Sequence, residues 1–106
     1  VQRSSADLVR LRRDVEVVSD RLRHLAPARL APVAGQVRRH VRDLAALSLA
    51  AHGQDPHPLG DVADAALGDQ VAVLGREVAE GLDRSSDPDL LARALACLAA
   101  IRSGLP

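Results

Sequence analysis

Apolar residues recur along this chain at alternating spacings of three and four, the period that lays them on one face of an α-helix. Leu8, Leu11, Val15, Val18, Leu22 and Leu25 form the longest such stripe, a heptad seam flanked by Arg10, Arg12, Asp14, Glu16, Asp20 and Arg21. Ser4 or Ser5 is placed to cap the first turn, and Asp7 suits the positive end of the helix dipole. Pro27 ends the segment, because its ring clashes with the preceding turn. The pattern predicts a first helix over residues 5–26, followed by a connection at Ala28 to Ala31.

Three further helices follow from the same reasoning. Pro32 suits a first helical position, and Val33, Val37, Val41 and Leu44 mark a buried stripe opposite Arg38, Arg39 and Arg42. From Leu44 to Ala51 this helix is apolar nearly all round, and Gly53 is its natural stop, giving 32–52. The stretch His52 to Gly60 is a loop rich in helix breakers. Asp61 is expected to cap a third helix over 61–84, with Ala63, Leu67, Val71, Leu74, Val78 and Leu82 facing inward. Asp64, Asp69, Glu77, Glu80 and Asp83 form its polar face. Asp87, Pro88 and Asp89 signal a restart, and the fourth helix runs over 88–103 until Gly104 and Pro106. Four helices of similar length on short connections predict one all-α domain over 1–106, an antiparallel up-down four-helix bundle assembling into a dimer. The same pattern accommodates two helical hairpins that complete each other only across a dimer.

Composition narrows this picture. The chain has no Phe, Trp, Tyr or Met, so its core is Leu, Val and Ala with the single Ile101. Ala and Leu are among the strongest helix formers. Without aromatics there is no stacking platform for bases, no cage for cations, and little to wall a large small-molecule pocket. All 14 basic residues are Arg, and Lys and Asn are absent. That is the coding signature of a GC-rich bacterial genome, so the choice of Arg over Lys carries no functional weight. The lone Cys97 cannot form an internal disulfide and reads as a small buried hydrophobe in a reducing, cytoplasmic compartment. No apolar run reaches the roughly 18 residues of a membrane span. The first residues lack the apolar core of a signal peptide, and a chain opening on Val1 is expected to be processed or cut from a longer one.

Charge is segregated along the chain. Residues 1–53 hold ten Arg against five carboxylates, and residues 54–106 hold four Arg against nine. Mutual attraction between the halves, within a chain or across a dimer, is the simpler use of this asymmetry. Arg38, Arg39 and Arg42 are the alternative, a basic patch for a nucleic acid or another polyanion. The fourth helix is too apolar for its place, with Arg93 the only charge between Leu90 and Ile101. Leu91, Ala94, Leu95, Leu98 and Ile101 suffice for a core stripe. The other side, Ala92, Ala96, Ala99 and Ala100, is then a candidate contact surface, together with Ala45, Ala50 and Ala51 of the second helix.

Catalytic and metal chemistry find little purchase. No two histidines stand at the i, i+4 spacing that puts both imidazoles on one helix face. His52, His57, Asp55 and Asp61 lie close along the loop, where zinc is the cation such ligands would suit, but loop histidines are ordinarily solvated. Cys97 has no His or charge along its own helix to activate it, the Ser-rich stretches serve as caps, and the glycines never cluster into a phosphate cradle. Leu11-Arg-Arg-Asp-Val15 through Arg29 resembles the first helix of the small helical chorismate mutases. Pro27 and Pro32 interrupt the long helix that family needs, and its Lys is missing, so the resemblance is not carried forward. The expectation is a non-enzymatic helical interaction module without cofactor or metal, meeting a second copy or another protein. The alternative is a nucleic-acid-associated accessory protein using Arg38, Arg39 and Arg42.

Overall fold

The computed structural model describes residues 2–106, with side chains from Ala6 onward. The hydroxyl cap expected at Ser4 or Ser5 lies outside the described side chains. Helix α1 spans Gln2–His24, and a short α2, Pro27–Leu30, opens on Pro27. A 3-10 turn at Ala31–Val33 holds Pro32 and leads into α3, Ala34–Ala51. After the loop, a second 3-10 turn at Asp64–Ala66 precedes α4, Leu67–Ser85, and α5 is Pro88–Gly104. The described chain is all-helical, and α1, α3, α4 and α5 are the four long helices that the periodicity predicts.

The stripes bury as their spacing requires, except that Ala63, expected to face inward, is exposed because it precedes the helix. Leu11, Val15, Val18 and Leu22 of α1 meet Val37, Val41 and Leu44 of α3 and Leu67, Val71, Leu74, Val78 and Leu82 of α4 in one core. Leu91, Ala94, Leu98 and Ile101 of α5 complete it, and buried Leu30 is the contribution of α2. Helix ends follow local chemistry. Gly53, at φ +67°, lets α3 finish in a Schellman turn, with Gln54 N–H donating to the Leu49 carbonyl at 2.9 Å and Gly53 N–H to Ala50 at 3.1 Å. Asp87 caps α5 by accepting from the amides of Asp89 and Leu90 at 3.0 and 3.2 Å. Asp61 does not cap α4, which begins six residues later at Leu67. The chain forms no regular element from residue 54 to Ala63, which is itself extended, and the Asp61 carboxylate bonds to Arg42 instead.

The up-down order expected from the sequence is not the order found. Helices α4 and α5 each pack on both α1 and α3, which occupy opposite corners, while α4 and α5 meet only lightly across the short diagonal. Register gives the directions. Gly68 lies on Ser19 and Arg23, and Gly75 on Val15, so α1 and α4 run antiparallel. Ser48 reaches Glu77 and Ala51 lies under Gly81, so α3 and α4 run parallel. Cys97 reaches the His40 carbonyl and Gly104 lies beside Gln36, which makes α3 and α5 antiparallel. Helices α1 and α5 are parallel, with Leu8 near Leu91 at one end and Arg21 donating to the Pro106 carbonyl at the other. The reason is the connection between α3 and α4. An 18-residue helix is roughly 27 Å long, and the irregular segment 54–63 that follows the turn at His52 and Gly53 can reach about 33 Å. It therefore returns to the start of α3 before α4 begins, pinned there by Arg38 and Arg42.

Close approach of α4 to its neighbours depends on residues without side chains. A Cβ at Gly75 would stand 2.5 and 2.7 Å from the two methyls of Val15, and one at Gly81 would stand 2.8 Å from the Ala51 Cβ and 2.9 Å from its carbonyl oxygen. Rotating Val15 only exchanges one methyl for another, so the backbones would have to separate. Gly75→Ala should destabilise the fold by about 1–2 kcal/mol, overpacking outweighing the helix-propensity gain. Gly35→Ala, with nothing within 4 Å of the added carbon, should stabilise it by about 0.5–1 kcal/mol. Urea midpoints followed by circular dichroism at the helical minimum measure both, since the chain has no aromatic fluorophore.

Candidate functional site

The apolar surplus of α5 and of the end of α3 resolves into two populations. Ala45 and Ala51 are core residues, 7 and 8% exposed, which corrects their assignment to the contact surface. Helix α3 packs on both α4 and α5, so its buried arc is wide enough to take them in. Ala50, Ala92, Ala96 and Ala99 are exposed and Ala100 is half-buried. Ala50, Ala96 and Ala100 lie together in a groove of about 560 Å3 between α3 and α5, with Ala46, Leu47 and Leu90. Ala92 is not among its lining residues, and Ala99 lines a different hollow, beside Arg10 and Arg102 between α1 and α5. The groove is thus narrower than the expected face and includes Ala46, one helical turn before Ala50. Its membership depends on knowing that α3 and α5 are neighbours.

Charges of both signs rim this groove. Asp43 stands on the α3 wall and makes no ion pair among the described residues, while Arg93 stands on the α5 wall with only a 4.0 Å contact to Asp89. His40 and Cys97 line it as well, so the fold brings to Cys97 a His and a carboxylate from α3, beside the Arg93 of its own helix. They do not activate it. The thiol donates to the His40 carbonyl at 3.1 Å. Burial, reinforced by the Asp43 carboxylate, pushes it up to about 11.

The arginine patch of α3 is largely spoken for. Arg38, half-buried, donates to the Val62 carbonyl at 2.7 Å and to Asp64 at 2.6 Å, and Arg42 reaches Asp61 at 3.2 Å. Arg39 is exposed and makes no ion pair among the described residues. A polyanion would have to compete with carboxylates already in place. Arg23 completes the pattern by bridging to Asp69 at 2.7 Å and to Asp20 at 3.3 Å, and the Asp69 bond raises its proton affinity. Among the described residues every long-range ion pair runs from an Arg of the first half to an Asp of the second. The remaining three lie within single helices.

Where α3 ends, Ser48, His52, Glu77 and Arg84 form a hydrogen-bonded set. The buried Ser48 hydroxyl donates to Glu77 Oε2 at 3.1 Å, Arg84 donates to His52 Nδ1 at 2.8 Å, and His52 Nε2 contacts the Glu77 carbonyl at 2.8 Å. Arg84 has only hydrogens to offer, so Nε2 carries the imidazole proton and donates it to that carbonyl. A nucleophilic triad needs the imidazole between hydroxyl and carboxylate. Here the carboxylate takes the hydroxyl directly, and the set ties α3 to α4. His52 is thereby held against α4, and Asp61 is held by Arg42. Among the described residues no three of His, Cys, Asp and Glu gather in a geometry that could hold a metal ion, and no helix is long and apolar enough to cross a membrane.

The chain matches no known protein family, curated protein or solved structure.

A raised thiol has two measurable consequences. At pH 8 a group titrating near 11 is roughly a thousandth thiolate, against about a quarter for a free thiol near 8.5. Alkylation of Cys97 by iodoacetamide at pH 8 should therefore be at least about 100-fold slower in the folded protein than in urea. The folded state also holds this proton more tightly than the unfolded chain. Its contribution to stability is full below about 8.5 and is lost as pH rises toward 11. Urea midpoints should fall over that window, and less steeply for Cys97→Ala.

Proposed function

We propose that this protein is a non-enzymatic helical interaction module that forms a homodimer through the α3–α5 groove, in a reducing compartment such as the cytoplasm. The observation that carries the reading is the groove itself, where Ala46, Ala50, Ala96 and Ala100 leave two helix backbones open to close approach by a third element. Small residues on adjacent helices let a partner helix settle at short range. The rim supports a second copy as that partner. In a two-fold interface residue i meets j while j meets i, so Asp43 and Arg93 can satisfy one another across the axis. The surface area is consistent with this. A protein of 11.2 kDa typically exposes about 5,700 Å2, and this chain exposes 6268 Å2. Against an enzyme stand the inert Cys97 thiol and the Ser48 hydroxyl bound to a carboxylate. A nucleic-acid reading through Arg38, Arg39 and Arg42 has less support, because two of those three guanidinium groups are paired.

Light scattering and sedimentation equilibrium at tens of micromolar test the proposal. The expected species has twice the 11.2 kDa chain mass, and Ala50→Glu and Ala96→Glu should each return it to monomer while leaving helicity and thermal midpoint of the monomer intact. A wild-type chain that stays monomeric up to millimolar concentration would sink the idea.

A further inference from the structure

The four long helices divide into two halves whose own members hardly touch. In the first half α1 and α3 stand at opposite corners, and in the second α4 and α5 meet only lightly. Every substantial interface between long helices joins one half to the other, α1 with α4 and α5, and α3 with α4 and α5. Polar contacts follow the same division. Among the described residues the long-range ion pairs all cross it, and so do the bonds of Ser48 to Glu77 and of Cys97 to His40. The division is also one of charge. The first half has five more Arg than carboxylates, and the second has five more carboxylates than Arg. Each half is therefore an apolar and charged surface made for the other, and alone it would leave its core stripes facing water.

Only a short stretch joins the halves. Gln54 closes the turn at the end of α3, and Asp61 is already held by Arg42. Between them the one hydrogen bond among the described residues is local, from His57 Nδ1 to the Pro58 carbonyl at 3.3 Å, and only Leu59 is half-buried. Because α3 and α4 run parallel, the connection must double back along α3 within one copy. In a two-fold pair of antiparallel copies, the start of α3 in the second copy stands beside the end of α3 in the first. The connection can then cross sideways, over a span comparable with the molecule's lesser extents of 28 and 16 Å and within its reach of roughly 33 Å. The four interfaces are the same whether a half is tethered to its own copy or supplied by another.

We infer that the core itself is an interaction surface whose partner is a second copy of this chain, residues 1–53 of each copy pairing with residues 61–106 of the other. Residues 54–60 cross between the two. Within one copy the tether holds the halves at an effective concentration on the order of millimolar, so exchange sets in when chains fold together near that concentration. The exchanged dimer then persists on dilution, because separating it requires the core to come apart. This pairing is independent of the α3–α5 groove, which stays on the outside of either form.

Charge reversal in two chains tests this, with Ala50→Glu and Ala96→Glu in both to keep the groove out of the measurement. One chain carries Arg38→Asp and Arg42→Asp, the other Asp61→Arg and Asp64→Arg. Each alone sets like charges together at both ion pairs, whether its halves join within a copy or between identical copies. Only exchange between the two different chains restores opposite charges at every pair. Mixed in urea and refolded together, they should give the heterodimer in at least about tenfold excess over either homodimer. Native mass spectrometry with one chain 15N-labelled reads the ratio. Monomers only, or homodimers and heterodimers in statistical proportion, overturn the inference. Should the reversed chains fail to fold even together, the groove-blocked chain with native charges decides. Refolded at about millimolar concentration, it should give a dimer that survives dilution, and monomer alone overturns the inference as well.

Discussion

The contact of Val15 with the bare backbone of α4 at Gly75 is the constraint on which the rest of the arrangement depends. A core without aromatic side chains cannot span wide gaps between helices, so the helices themselves must come close to reach the packing density of a protein interior. Gly68 and Gly75 bring α4 onto α1, and Gly81 brings it onto Ala51 of α3. Helix α4 thereby fixes two neighbours in register at once. The molecule is correspondingly flat, with principal-axis extents of 43 × 28 × 16 Å. Its open groove between α3 and α5 is lined by small residues on the outer edges of both helices.

Charge then decides how the chain travels between those helices. Helix α4 runs parallel to α3, which requires residues 52–63 to return along the length of α3. The return is held by Arg38 on the Val62 carbonyl and Asp64, and by Arg42 on Asp61. A basic first half and an acidic second half supply these partners. Arg38 is the half-buried anchor among them, and a bond between charged groups that is partly withdrawn from water is worth more than one on an open surface. The segregation that could suggest a polyanion surface is thus largely consumed inside the chain.

The candidate sites were unevenly legible. Ala96, Ala99 and Ala100 could be read as an outer face because Leu91, Ala94, Leu98 and Ile101 already account for the core side of α5. Ala45 and Ala51 could not be told from Ala50, because the width of the buried arc of α3 depends on how many neighbours it has. His40 and Asp43 come to the groove of Cys97 only through the α3–α5 pairing, fifty-seven residues away in sequence for the His40 contact.

From residue order alone came the number of long helices, their core stripes, the Gly53 stop and the Asp87 cap, since each depends on interactions within a few residues. Periodicity of apolar positions is a local property, and so are the φ preferences of Gly and Pro and the hydrogen bonds of a capping carboxylate. Tertiary structure alone decided which helices are neighbours, that two packed pairs run parallel, and which alanines face solvent. Those outcomes turn on backbone contact distances at Gly68, Gly75 and Gly81 and on ion pairs closing a loop, which join residues far apart in the chain. The antiparallel order was the reasonable reading of short connections. It failed at the one connection long enough to run the length of a helix and come back.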